Sequence, residues 1–328
     1  MPDTLEDAPA AATDQPKDRT SFRLAAFGAL LVVTLSAGYG LGRLNSGAST
    51  ATVAQPAATG MAGMPGMTFD ESQPHVHNTD GTITQGGATT TSMGAAIGGL
   101  SLSSAGLTLA PEATSWNAGK AQPFRFRITG AGGAAVTTYA IVHDKPLHLV
   151  VIRRDLSGFQ HLHPAMAPDG TWSIDLTLPR PGSYRAIADF TAIVGGQQVA
   201  TTLGTDLTVA GSYAPVALPA PVRQATATGF TVEYEGTPRT ASTQPILMTV
   251  TGPDGKPAAL QPYLGAFGHV VMLRQGDVGY VHIHPELQLV DGKVKFWLAA
   301  PGPGTYRMFF DFQVAGQVHT AAWTVTVS

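Results

Sequence analysis

Six histidines fall into two sets of one spacing. Each set reads His, twelve residues, then His-x-His-Pro: His148, His161 and His163 first, then His269, His282 and His284. Imidazole is the side chain that most often ligates zinc, copper or nickel near neutral pH. Three of them at a repeated spacing are therefore candidate metal ligands. Each set lies in a hairpin pattern, LHLVVIRRDLSGFQHLHP at 147–164 and GHVVMLRQGDVGYVHIHP at 268–285. The first reads as strand 147–154, a turn at 155–158 and strand 159–163. Residues i and i+2 of a strand share a face, so His161 and His163 point together. A register pairing His148 with either of them brings all three onto that face, with directly opposed Cβ atoms ~5 Å apart. A slip of one residue turns His148 away. Each hairpin is expected to hold its own ion, about two per chain, so that loss of His161 and His163 would empty the first and spare the second. The competing reading of His148, alone in an apolar strand, is a buried, hydrogen-bonded core residue.

Other donors surround these sets. Asp189 and Asp311 stand in apolar strands (AIADF and MFFDF), where a buried carboxylate needs a partner. Each fits an acceptor that orients a ligand histidine, or an ion pair with Arg185 or Arg307, or with Arg153 or Arg274. Upstream, GMAGMPGMTFDESQPHVH places Met61, Met64 and Met67 three residues apart, followed by His75 and His77. Thioethers suit Cu(I) and imidazoles Cu(II) or zinc, so this segment is a candidate site of ion capture or transfer.

The elements that must position these groups are short. The chain has 328 residues, only 12% of them charged, with 38 glycines and 24 prolines, a balance that favours many strands and turns over long helices. A net charge of -3 gives no electrostatic case for nucleic acid. Cysteine is absent, which excludes disulfides, thiolate zinc sites, iron–sulfur clusters and blue copper. Residues 1–23 are polar and read as a disordered cytoplasmic tail. Residues 24–42 carry no charge and are long enough for one transmembrane helix. Lys17, Arg19 and Arg23 precede that stretch and only Arg43 closely follows, so the remainder is expected outside the cytoplasm. An uncleaved anchor is favoured over a signal peptide because the polar segment ahead of it is long. Residues 43–104 read as a flexible linker.

The repeat continues beyond the hairpins. PRPGSYRAIADF (179–190) aligns without a gap to PGPGTYRMFFDF (301–312). Each copy shows about seven short strands with Gly, Pro and Asp-Gly punctuation, as in an antiparallel sandwich. In the first copy these are 123–129, 136–142, 147–154, 159–163, 171–178, 182–190 and 197–209. The expected fold is all-β: two tandem immunoglobulin-like sandwiches, 105–211 and 222–328, after the anchor and the linker. Tyr184 and Tyr306 fit the tyrosine corner of such sandwiches.

With Arg153, Asp155, Leu156, Phe159, His161, His163 and Pro164, then Pro181 to Phe190, the chain resembles membrane-tethered bacterial envelope proteins. Their repeated signature is R-x-D-L-x-x-F-x-H-x-H-P followed by P-G-x-Y-R-x-x-x-D-F. The second copy departs from it, with Gln275-Gly276-Asp277 where the first has Arg154-Asp155-Leu156. A looser likeness links the chain to small periplasmic copper-carrier sandwiches. The resemblance covers about residues 105–328 and implies an all-β fold outside the cytoplasm.

No G-x-S-x-G, H-E-x-x-H or P-loop pattern is present, so an enzyme is not expected. The expectation is an anchored, extracytoplasmic metal-binding protein, with copper first and zinc second. Its expected partners are the inner or plasma membrane, through 24–42, and other envelope metal-handling proteins. The competing class is an envelope scaffold or interaction module whose histidines are structural.

Overall fold

The computed structural model describes residues 75–77, 83–85, 97–240, 242–281 and 283–328. The tail 1–23, the anchor 24–42, Met61, Met64, Met67 and His282 lie outside the described residues. Among the described residues no helix is long and apolar enough to cross a membrane. Within the linker, His75–His77 pairs antiparallel with Ile83–Gln85.

From residue 103 the chain is all-β, as two tandem sandwiches. Eight strands carry the argument that follows. In the first sandwich they are β1 (Leu147–Arg153), β2 (Gln160–Leu162), β3 (Gly182–Val194) and β4 (Gln197–Val209). In the second they are β5 (His269–Arg274), β6 (Tyr280–Val281), β7 (Gly304–Val314) and β8 (Gln317–Val327). One sheet of the first sandwich runs Ser115–Trp116, β4, β3, β1, β2. Its counterpart in the second runs β6, β5, β7, β8. Each packs on a five-stranded sheet of its own, built on Ala121–Thr129 and Thr171–Thr177 in the first and on Thr243–Thr251 and Val294–Ala299 in the second. The pairing is antiparallel except where Ser115–Trp116 joins β4 in parallel.

Strand β1 is buried at all seven positions, and the two faces are buried by different partners. Leu147, Leu149 and Val151 enter the core of their own sandwich. Val150 and Ile152 join a second apolar cluster with Val271, Leu273, Val278, Tyr280 and Phe309 of the other sandwich. Strand β5 divides the same way, with Val270 and Met272 inward and Val271 and Leu273 towards the first sandwich. Burial on both faces removes the usual polar alternation of an antiparallel strand. Phe159 stacks on Phe309 across the seam, ring centroids 3.9 Å apart.

Both tyrosine corners are present. The Tyr184 hydroxyl donates to the Arg180 carbonyl at 2.9 Å and accepts from the Arg180 amide at 3.2 Å. The Tyr306 hydroxyl donates to the Gly302 carbonyl at 2.8 Å. The R-x-D part of the signature is structural as well. The guanidinium of Arg153, fully buried, donates to the carbonyls of Pro181 and Ala214 and to Asp155 at 2.7 Å. Asp155 in turn accepts the Val216 amide at 2.8 Å. The pair thus fixes the connector between the sandwiches.

Residues 136–142, expected as a strand, form none. They cross the sheet by isolated bridges such as Tyr139 with Ala192 and end in a tight turn before β1. Residues 97–102 form a strap over the seam. Gly98 exchanges backbone hydrogen bonds with Tyr280 (2.9 and 3.1 Å), and the Gly99 amide donates to the Thr202 carbonyl at 3.1 Å.

A histidine cluster at the seam

His148 stands on the face of β1 turned towards the second sandwich, and His269 occupies the matching position on β5. Each lies opposite an aspartate on the neighbouring strand, Asp189 for His148 and Asp311 for His269. Strand β2 pairs Val150 with His161, so His161 shares the face of His148 and Val150. Continuing that register sets His163 opposite His148. The register is thus the one that gathers all three histidines of the first set.

The packing of the sandwiches then adds His269. One ring nitrogen each of His148, His161 and His269 lies within 4.8 Å of the others. Ring centroids stand 5.4 Å apart for His148 and His161, 5.3 Å for His148 and His269, and 4.7 Å for His161 and His269. The rings of His148 and His269, equivalent in the repeat, stack with only 5° between planes.

Hydrogen bonds at the outer nitrogens fix the inner ones. His148 Nε2 lies 3.0 Å from the Val142 carbonyl, which can only accept, so Nε2 carries the proton and Nδ1 presents a lone pair. His161 Nδ1 lies 2.8 Å from Asp311 Oδ2 and donates to it, which turns Nε2 inward. The two inward nitrogens, His148 Nδ1 and His161 Nε2, face each other at 3.1 Å. His163 Nε2 points at the same His148 Nδ1 from 3.3 Å. Such a convergence of ring nitrogens is one that a shared proton or a metal ion can bridge.

The carboxylates settle into distinct roles. Asp311 Oδ1 accepts from Thr320 Oγ1 at 2.5 Å while Oδ2 holds His161 of the other sandwich. Asp189 accepts from Thr202 Oγ1 at 2.7 Å and from Tyr280 Oη at 3.4 Å. The arginines go elsewhere: Arg153 to Asp155, Arg185 to Asp206 and Arg274 to Asp277. Burial lowers the His163 pKa to about 3, helped by repulsion from His161, His148 and Lys145. Burial likewise pushes Tyr263 up to about 12, with the Asp311 charge adding to it. Tyr280 is raised well above its usual range by burial and by Asp189.

In the second copy the pairing of Met272 with Val281, continued, sets His284 opposite His269. His284 sits on the two-residue strand His284–Pro285, paired with the facing sheet opposite Trp297. His75 and His77 are on the short linker strand. His319 packs between Phe230 and Phe312. His143 was not singled out from the sequence: it has no histidine counterpart in the second copy, yet its ring meets those of His148 and His269. Its place five residues before His148, on the far side of a tight turn, was the available signal.

No curated protein matches the sequence. Among solved structures, the chain is similar to the Escherichia coli adhesin FdeC, with 17% identity over 70% of this chain and 66% of that one, at a TM-score of 0.24. It is also similar to the Yersinia pseudotuberculosis adhesin InvE (10% identity, 69% and 60% covered, TM-score 0.22). A third is Escherichia coli alpha-2-macroglobulin (14%, 67% and 20%, TM-score 0.23). The chain thus spans less than two thirds of the length of each, and at these scores the likeness carries no argument. The sequence itself is matched twice by one family model, over residues 103–209 and 225–328, and so the chain belongs to the family described as domain of unknown function DUF8832.

Proposed function

We propose that this protein is a membrane-anchored, extracytoplasmic binder of a transition-metal ion, copper first and zinc second, and not an enzyme. The ion would sit at the seam of the two sandwiches, held by His148, His161 and His269 with His163 beside them. One observation carries this reading: His148 Nδ1 and His161 Nε2 face each other at 3.1 Å while Val142 O and Asp311 occupy their opposite nitrogens. Carboxylate or carbonyl partners behind ligand histidines are the usual means of fixing their tautomer and raising their basicity. An all-imidazole donor set suits Cu(II) and Zn(II). Met61, Met64 and Met67 with His75 and His77 supply a softer set in the linker, suited to Cu(I) capture or transfer. His282 and His284 belong to the same repeated spacing. The length and charge flanks of residues 24–42 support the anchor and the outward orientation.

Titration of the chelator-stripped full chain with Cu(II), and separately with Zn(II), tests the reading. Micromolar or tighter binding with a rise in melting temperature supports it. The absence of binding for both ions would leave the histidines as fold determinants.

A further inference from the structure

His143 belongs to a two-residue turn closed in both directions, Val142 N to Lys145 O at 2.9 Å and Lys145 N to Val142 O at 3.1 Å. Both central residues are left-handed, His143 at φ 48° and Asp144 at φ 61°. Asn-Gly is the easy pair for such a turn. The equivalent turn of the second copy has Leu264 and Gly265, with Leu264 buried. The left-handed turn is common to both copies, and what sets the first apart is that it carries an imidazole.

The turn also meets the cluster twice. The Val142 carbonyl accepts His148 Nε2–H. The His143 ring then stands edge-on to both His148 and His269, at centroid distances of 5.9 and 5.5 Å. Two imidazoles on one tetrahedral ion have centroids about 5 Å apart, given metal–nitrogen bonds of ~2 Å. His143 stands slightly wider than that from two members of the trio, outside the 4.8 Å group of their nitrogens, and would swing inward to join the ion. It is only half-buried, and its neighbour Asp144 is exposed.

We propose that His143 is a further ligand of the ion, mounted on a turn at the rim while the others stand on or beside strands, and that it governs the ion's escape to solvent. This inference rests on the metal-binding reading above. An imidazole donor at the rim keeps the ion class at Cu(II) or Zn(II). Only one copy supplies it, so the site has an imidazole mouth on one side.

The test uses Cu(II) and the full chain, wild type beside His143→Asn, because asparagine tolerates the left-handed turn. A second variant, His143→Leu, installs the residue of the other copy. Both variants should hold the same number of ions as wild type. They should surrender Cu(II) to excess EDTA about 10- to 100-fold faster, with one nitrogen fewer in the Cu(II) EPR spectrum. Unchanged release and an unchanged spectrum in His143→Asn would overturn the role of His143 and leave the site standing. A wild-type chain that binds no Cu(II) would overturn the site itself.

Discussion

The behaviour of His148 and His161 turns on what sits behind each ring. Asp311 reaches His161 from the other sandwich at 2.8 Å, so its charge both orients the ring and offsets an added cation. Asp311→Asn should weaken ion binding about 10- to 100-fold while the sandwiches stay folded; equal affinity by competition titration would remove Asp311 from the site. The cluster also sets a pH response. The His163 pKa falls from 6.5 in the unfolded chain to about 3 in the folded one, chiefly through burial. As pH drops below 6.5 the unfolded chain gains a proton that the folded chain refuses until about 3, so this stability is complete above that window and lost within it. His163→Gln should flatten the decline in urea unfolding of the ion-free protein between those limits; an unchanged slope would contradict it. The repeated spacing made the histidines legible. The tautomers were not, because they depend on Val142 and Asp311, which no local pattern ties to the rings.

At the scale of elements, the hairpin 147–163 and the Gly-x-Tyr strands were readable from alternation and turn residues. Strand β1 was readable only in part. Its unbroken apolar run signals two buried faces, and the second face is covered by the other sandwich and not by its own. The tyrosine corners follow directly from the motif, and Tyr184→Phe should cost about 1 kcal/mol in chemical denaturation without changing ion affinity. The strap 97–102 carried no sequence signal, since it is held by backbone hydrogen bonds and by the distant Arg185 guanidinium, which donates to the Gly99 and Leu100 carbonyls. A Cβ on Gly204 would stand 2.0 Å from the Gly99 carbonyl oxygen, so Gly204→Ala should displace the strap. Faster hydrogen exchange at Gly98 and Tyr280, which bond one another, is the expected sign; unchanged protection there would show that the strap does not depend on this close approach.

Across the whole molecule, the period predicted two like domains, and family membership over 103–209 and 225–328 agrees with it. The period says nothing of how the copies meet, because a repeat encodes each copy and not the seam. Phe159 and Phe309 stack across that seam although they are not equivalents in the repeat. The meeting of β1 and β5 brings His269 of the second set to the histidines of the first. A protease nick in the connector 210–222 should therefore leave halves that dissociate at lower urea after chelation than with the ion bound; identical dissociation would argue against an ion that spans them. The most direct measurement is ion stoichiometry in wild type, His161→Ala and His269→Ala. A shared site predicts one tightly held Cu(II) at the sandwiches of the wild type, and its loss in either variant. One ion persisting in each variant, or two in the wild type with one removed by each change, would contradict a single site between the sandwiches.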